Sequence, residues 1–298
     1  MDRNRIEELL SYLWLVLESS SDAVDENRIN ETVSELLETV PYPITVMPPY
    51  IYNFYRVRQG ERDQFYNNKR EFCLPPNPEK ISQGRCNRNG TQALYFAVTE
   101  HTALYEACHT RRSKLYDFHL AYISRWVNCK PVRIAKFLDI RAPLRDRHAK
   151  EKHSADMLLM ARLHPDMIDL IRKLLHVVGR CFSTKVNDSK HVYIITNAVT
   201  DCVFKKFDGI YYSSAMRDSF GSNAALKPEL LDSSFEFQAV ARVLYAPLDK
   251  RGENFAPLNN SLGKIVAPDG TLEWRENAGI FSSRLSSKFI EENYRIPW

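Results

Sequence analysis

The chain has 298 residues, of which 44% are hydrophobic and 26% are charged. This composition is typical of a globular protein with a sizeable core, and it argues against a disordered or fibrous chain. The formal net charge of +4 is small for this length, which argues against direct nucleic-acid binding and suits an anionic small-molecule ligand.

Apolar residues recur at helical spacing in two segments near the start of the chain, separated by a polar break from Asp22 to Asn27. The two sets are Ile6, Leu9, Leu10, Leu13 and Leu17, and then Ile29, Val33, Leu36, Leu37 and Val40. The pattern predicts an antiparallel helical hairpin within residues 1–45, followed by a proline-rich connector. The hairpin is either a module for a partner or for self-association, or it packs on the rest of the chain.

From Ile51 onwards the pattern changes to mixed α and β. We divide this part into a domain over residues 51–250 and a C-terminal extension, residues 251–298, packed on it. The predicted strands are 53–57, 93–98, 118–126 and 132–138 (these last two paired), 210–212 and 239–245, with a hairpin over 263–274. The predicted helices are a short one after residue 98, then 155–163, 167–178 and 192–207.

The six cysteines are scattered, and none forms a C-x-x-C pair. We therefore expect reduced thiols and a cytoplasmic location. No metal site is predicted, because no Cys/His cluster has zinc spacing. Neither a signal peptide nor a transmembrane segment is expected, because the N-terminus is too acidic and no apolar run is long enough.

Three short segments carry residues suited to chemistry. In the first, Phe54 to Arg58, a strand would place Arg56 and Arg58 on one face, where guanidinium groups can bind phosphate oxygens. The second runs from Gly84 to Glu106 and joins a polar, glycine-bounded loop to a strand and a helix that carries Glu106 about one turn in. The third, from Asp208 to Asn223, has a turn followed by serines at the end of a strand.

Taken singly, each segment is compatible with an exposed surface strand, helix or hairpin, but together they resemble the RES family, named for its Arg, Glu and Ser. The aromatic-Arg strand of that family is matched by Tyr55-Arg56. Its motif G-R-W-N-x-x-G-x-x-A-L-Y-x-A is matched from Gly84 to Ala97, with Cys86 in place of Trp, and its A-L-x-E motif from Ala103 to Glu106. Its motif G-I-x-Y-x-S is matched from Gly209 to Ser214.

The resemblance covers roughly residues 51 to 245 and implies an α+β fold: a split, bent β core similar to that of the ADP-ribosyltransferase toxins, with the helical hairpin before it. It implies a toxin-like enzyme that cleaves the nicotinamide–ribose bond of NAD by hydrolysis or phosphorolysis. NAD would be the substrate, so no cofactor is expected. A helix-turn-helix antitoxin is the expected partner, and the oligomeric state is left open.

The same resemblance implies roles for individual residues. Glu106 would stabilise the ribosyl cation, Arg56 and Arg85 would bind the pyrophosphate, and Tyr95 would stack on nicotinamide. Ser214 would bind Glu106 or the ribose hydroxyls, and Asn223 would contact the substrate nearby. A protein ADP-ribosyltransferase and a non-catalytic binding module are the alternatives, since both would keep the fold.

Overall fold

The fold is known from a computed structural model that describes residues 2–19, 24–60, 65–108, 119–139, 147–185, 191–215, 221–247, 255–265 and 267–276. The helices are α1 (Arg3–Glu18), α2 (Glu26–Thr39), α3 (Glu100–Cys108), α4 (Arg147–Leu163), α5 (Ile168–Ser183), α6 (Val192–Lys206) and α7 (Leu230–Ser234). The strands are β1 (Ile44–Met47), β2 (Asn53–Gly60), β3 (Leu94–Ala97), β4 (His119–Asn128), β5 (Val132–Phe137), β6 (Gly209–Ser213), β7 (Ser222–Leu226), β8 (Phe235–Pro247), β9 (Phe255–Ile265) and β10 (Leu272–Glu276). The predicted α+β class is confirmed.

The N-terminal helical pair is confirmed, and each helix begins at an aspartate that caps it. Asp2 accepts a hydrogen bond from the backbone N–H of Asn4 at 3.3 Å, and Asp25 accepts one from that of Arg28 at 3.0 Å. All ten apolar residues of the two predicted stripes are buried in one core with α5 and α6. The hairpin therefore packs on the rest of the chain, while its association with a partner or a second copy stays a prediction.

The strands form one mixed sheet in the order β1-β5-β6-β7-β3-β2-β4-β8-β9-β10. Its two halves are joined at a narrow point, because β2 and β3 share a single register position, Tyr55 opposite Ala97. By contrast, β2 pairs with β4 along its whole length, from Asn53 opposite Val127 to Gly60 opposite Leu120. The sheet is thus split between β3 and β2.

The sheet is also strongly bent. Only residues 129–131 link β4 to β5, although five inter-strand steps separate these strands in the sheet order. Five steps in a flat sheet would span about 24 Å, whereas the four Cα–Cα steps from Asn128 to Val132 reach at most about 15 Å. The two halves must therefore curl toward each other, which agrees with the predicted split and bent core.

The predicted pairing of β4 with β5 is wrong. β4 pairs with β2 and β8, whereas β5 pairs with β1 and, in parallel, with β6. The short link suggested a hairpin, but Asn128 uses its side-chain amide to hold the carbonyls of Met47 and Pro48 as well as Lys130. These bonds direct the chain across to the other half of the sheet.

The end of the described chain continues the same sheet. β9 pairs with β8 over Val240 to Pro247, and β10 pairs with β9 in the predicted hairpin, with Gly270 at a φ of 87° in the turn. Residues 255–276 therefore add two strands to the sheet. The rest of the predicted extension, residues 277–298, lies outside the described residues.

The other predicted elements are present, with differences in where two of them lie along the chain. β1, β7 and α7 were not predicted, and β1, which pairs with β5, lies within the segment predicted as a proline-rich connector. α6 covers almost all of the predicted 192–207 segment. α4 begins at Arg147, ahead of the predicted Ala155, because its first turns are charged and carry no apolar periodicity. Glu106 lies in the last turn of α3, because the helix begins at Glu100.

Candidate active site

The centre of the candidate site is the carboxylate of Glu106, which is held by two side chains from the neighbouring strands. The hydroxyl of Ser214 donates to Oε1 of Glu106 at 2.5 Å, and the side-chain amide of Asn223 donates to the same oxygen at 2.7 Å. Two donors on one oxygen fix the orientation of the carboxylate group. No described residue donates a hydrogen bond to the other oxygen, Oε2.

The β6–β7 hairpin positions both donors. β6 ends at Ser213, one residue before Ser214, and β7 returns with Asn223 opposite Tyr212. The backbone N–H of Ser214 donates to the carbonyl of Gly221 at 3.1 Å, which closes the hairpin next to the two donors. Ser214 is completely buried and Asn223 is nearly so.

Gly221 is required by two independent features of its environment. Its φ of 83° lies in the left-handed region, which disfavours side chains. A Cβ on Gly221 would also lie 2.3 Å from the hydroxyl of Thr102 on α3. The close approach of Gly221 to Thr102 therefore brings the β6–β7 hairpin against the helix that carries Glu106.

Tyr212 lines the same site on the β6 side. Its ring is buried and packs against Phe182 of α5 with 4.9 Å between ring centroids. Burial raises the pKa of Tyr212 well above its usual value, and the thiol of Cys86, the hydroxyl of Tyr95 and the carboxylate of Glu106 add to the effect. Tyr212 therefore stays neutral at physiological pH, where its hydroxyl can donate a hydrogen bond.

The loop from Gly84 to Thr91 is organised by the side chain of Asn87. Its amide nitrogen donates to the carbonyls of Ser82, Arg88 and Thr91, and its oxygen accepts a hydrogen bond from the Tyr95 hydroxyl at 2.9 Å. That hydroxyl in turn accepts from the backbone N–H of Cys86 at 2.6 Å. The polar end of Tyr95 thus anchors this loop, while the stacking of its ring on nicotinamide stays a prediction.

Gly84 lies against the hydrogen bond between Asn87 and Tyr95, where there is no room for a side chain. A Cβ at this position would lie 2.5 Å from Oδ1 of Asn87 and 2.9 Å from the hydroxyl of Tyr95. Glycine here permits the backbone to approach the Asn87–Tyr95 hydrogen bond closely.

Arg85 has partners inside the fold. Its guanidinium donates to the carbonyl of Cys181 at 3.2 Å and to that of Thr184 at 2.6 Å, at the C-terminal end of α5. A cation there satisfies carbonyls that the helix leaves unpaired and interacts favourably with the helix dipole. Arg85 therefore ties the loop to α5, and its contact with a pyrophosphate stays a prediction.

Arg56 lies at the split in the sheet, directly after Tyr55, the residue that joins β2 to β3. Tyr55 and Val57 pack with Leu104 of α3 on one face, so alternation along β2 places Arg56 on the other face. The structure thus brings Glu106, Ser214 and Asn223 together, but not Arg56 with them by direct contact.

Arg56 is half-buried, and its Nη1 atom is buried without a hydrogen-bond partner among the described residues. Burial is the main cause that lowers the pKa of Arg56, to about 10; Cys73 opposes the change and the nearby charge of Arg58 contributes to it. Arg56 therefore still carries its charge at physiological pH. Arg58 differs, because it packs over the Tyr66 ring and donates to the carbonyl of Glu71.

A comparison with protein-family models matches the RES domain over residues 53–248, which is well over half of the chain. The chain belongs to the RES domain family. No curated protein matches the chain. The match begins at the first residue of β2 and includes all the RES residues of the candidate site, whereas the helical hairpin and strand β1 lie before it.

Two residues near the candidate site were given no role in the sequence analysis. The sequence motifs contain Tyr212 and Asn87, but neither received a role. Both residues occupy fixed positions of the resembled motifs, at the tyrosine of G-I-x-Y-x-S and the asparagine of G-R-W-N, and this was the available signal.

Among the described residues, no cluster of three or more His, Cys, Asp or Glu side chains has the arrangement of a metal site. A search of the same residues finds no helix with the length and apolar character needed to cross a membrane.

Proposed function

We propose that this RES domain cleaves the nicotinamide–ribose bond of NAD, by hydrolysis or phosphorolysis, and so depletes the NAD of the cell as a toxin does. The observation that carries the proposal is the convergence of Ser214 and Asn223 on one oxygen of Glu106. This arrangement holds the carboxylate in a fixed orientation, and no described residue donates a hydrogen bond to its Oε2.

A carboxylate held in this way suits the chemistry of glycosidic cleavage. When nicotinamide leaves, the ribose acquires oxocarbenium character, and a negative charge beside it lowers the energy of that transition state. Because Ser214 and Asn223 hold Oε1, we assign Oε2 to this role and to the alignment of the incoming nucleophile. The nicotinamide leaves with the bonding electron pair, and water or phosphate supplies the new bond to the ribose carbon.

NAD also has a doubly charged pyrophosphate, for which Arg56 is the candidate ligand. A partly buried guanidinium that has no carboxylate partner among the described residues is costly, and an anion bound to it would recover part of that cost. Arg56 lies beside the split, on the face of β2 opposite to the one that packs against α3, so a substrate that contacts both Glu106 and Arg56 would have to pass through the split. Tyr95 and Tyr212 are the candidate aromatic contacts for the nicotinamide end.

We further propose that the protein acts in the cytoplasm under the control of an antitoxin that blocks the site. Cys73, Cys86, Cys129, Cys181 and Cys202 are all free thiols, which supports a reducing compartment. Expression without such an antitoxin should arrest growth as cellular NAD falls. Arrest with normal NAD levels would count against the proposal.

Product analysis of NAD turnover by the purified protein tests the reaction. Incubation with NAD alone should release nicotinamide and ADP-ribose, and added phosphate would yield a phosphorylated ADP-ribose if phosphorolysis is the route. Nicotinamide release that requires an added protein, with ADP-ribose attached to that protein, would instead support a protein ADP-ribosyltransferase. No release under any of these conditions would contradict the proposal.

A further inference from the structure

Arg88 connects the loop of the RES motif to the N-terminal hairpin, which lies outside the RES match. It donates through Nη1 to the carboxylate of Glu26 and through Nη2 to the Asn30 side chain at 3.4 Å, and both residues belong to α2. It also donates to Asp201 of α6 through Nε and Nη2, at 3.2 and 3.0 Å. A single arginine thus binds two helices to the loop.

The loop that carries Arg88 is the one that ends at Tyr95. Arg88 directly follows Asn87. The side chain of Asn87 accepts a hydrogen bond from the Tyr95 hydroxyl and donates one to the carbonyl of Arg88 itself. Any shift of the backbone at residue 88 is therefore transmitted through Asn87 to Tyr95. Strand β3 places Tyr95 opposite Ala225 of β7, two residues from Asn223, so Tyr95 lies on the same face of the sheet as this donor to Glu106.

Other contacts hold the loop in place when Arg88 is removed. Arg85 binds the end of α5, and the Asn197 side chain of α6 donates to the carbonyl of Gly84 at 3.1 Å. Removal of Arg88 should therefore loosen one end of the loop without unfolding it. An effect on the position of the loop can then be distinguished from an effect on the stability of the fold.

We propose that Arg88 is a positioning residue through which helix α2 holds the RES loop, and with it Tyr95, in the geometry that the site needs. In this proposal the hairpin helps to position residues of the site and also contributes to the core. The kinetic side of this inference rests on the proposed NAD cleavage, whereas the structural side does not.

The test compares three variants: Arg88→Ala, Glu26→Gln and Arg5→Ala. Arg5 is the matched control, because it makes a similar partly exposed ion pair with Glu35 at 3.0 Å that joins α1 to α2 only. The measurements are amide hydrogen exchange over residues 82–91, the kcat and KM for nicotinamide release from NAD, and the thermal midpoint of each variant.

Arg88→Ala should speed amide hydrogen exchange in the loop and lower kcat/KM on the order of five-fold. This is the effect expected from the loss of partly exposed ion pairs with two carboxylates. Glu26→Gln should change the exchange rate and kcat/KM in the same directions but by smaller factors, and Arg5→Ala should change neither quantity. In the double variant Glu26→Gln/Arg88→Ala, the effect should not exceed that of Arg88→Ala alone. Arg88→Lys, which keeps a charge, should recover part of the loss.

If amide exchange in the loop of Arg88→Ala is as slow as in the wild type, the inference is overturned. It is also overturned if Arg88→Ala lowers kcat/KM but Glu26→Gln changes neither exchange nor kcat/KM, because the hairpin would then not contribute to positioning the loop. Equal losses in Arg5→Ala and Arg88→Ala would assign the effect to general stability and also overturn it. If the wild-type protein releases no nicotinamide, the proposed function fails, and the exchange measurement still decides whether α2 orders the loop.

Discussion

At the scale of single residues, the defining feature is that one oxygen of Glu106 receives two hydrogen bonds while the other receives none from the described residues. Ser214 and Asn223 come from different strands, yet both donate to Oε1. The two donors therefore act as one unit that orients the carboxylate, so removal of either one disturbs the contribution of the other.

Single substitutions Ser214→Ala and Asn223→Ala should each lower kcat for nicotinamide release by about 10-fold or more, since a hydrogen bond to a charged group contributes roughly 1.5–3 kcal/mol. The double variant should lose less than the product of the two single effects, because both side chains act on one oxygen. Steady-state kinetics check this, and strict multiplicativity would mean that the two donors act independently.

Arg56→Ala should weaken NAD binding by roughly 1.5–3 kcal/mol for each lost charge-assisted hydrogen bond, while the fold should tolerate the removal of a partly buried cation that has no carboxylate partner among the described residues. Calorimetric titration with NAD measures the affinity. Arg58→Ala is the control, because Arg58 is already bound to the Glu71 carbonyl and packs over Tyr66. Equal affinity in wild type and Arg56→Ala would remove Arg56 from the pyrophosphate role.

At the scale of elements, the site depends on a tight junction between the β6–β7 hairpin and helix α3. Gly221→Ala would force a left-handed φ on a side chain and drive its Cβ into Thr102. We expect it to lower the free energy of unfolding by about 2–4 kcal/mol and to impair catalysis.

Gly90→Ala is the matched comparison for Gly221→Ala, because Gly90 is also left-handed at a φ of 75° but has open space around it. It should cost only the conformational part, about 1 kcal/mol. Urea denaturation of the two variants measures the difference. Equal losses of stability would show that the contact with Thr102 does not matter.

The sequence allowed the elements to be predicted better than their arrangement. Apolar periodicity located both hairpin helices, because each buries a stripe of apolar residues along one face. The partners of β4 and β5 could not be predicted, because local pattern carries no information on pairing across the split and the short link through 129–131 imitated a hairpin. Glu106, Ser214 and Asn223 were predicted through motif resemblance, whereas the engagement of Arg85 with the end of α5 depends on tertiary packing.

At the scale of the whole molecule, the hairpin and the RES domain share one core. Leu13 of α1 is fully buried in it, whereas Leu15, two residues later, is 68% exposed. Leu13→Ala should therefore lower the free energy of unfolding of the entire chain by about 2–5 kcal/mol, and Leu15→Ala should change it by less than about 0.5 kcal/mol.

Urea denaturation followed by both tryptophan fluorescence and circular dichroism checks the Leu13 prediction. The two probes should report one transition that moves as a whole in Leu13→Ala. An early transition that removes the hairpin and leaves the rest of the chain folded would show instead that residues 1–45 form a separate unit.

The central claim is that the negative charge of Glu106 drives cleavage of NAD, and a comparison of Glu106→Gln with Glu100→Gln tests it most directly. Glu100 is a suitable control because it lies at the other end of the same helix, where burial raises its pKa and Arg125 opposes that change. Nicotinamide release and NAD affinity should be measured for both variants.

Glu106→Gln should still bind NAD but lose about 10²- to 10³-fold in kcat, the usual effect of removing an electrostatic group from a transition state. Glu100→Gln should keep wild-type kinetics. Full activity in Glu106→Gln, or loss of activity in Glu100→Gln alone, would contradict the assignment of the site.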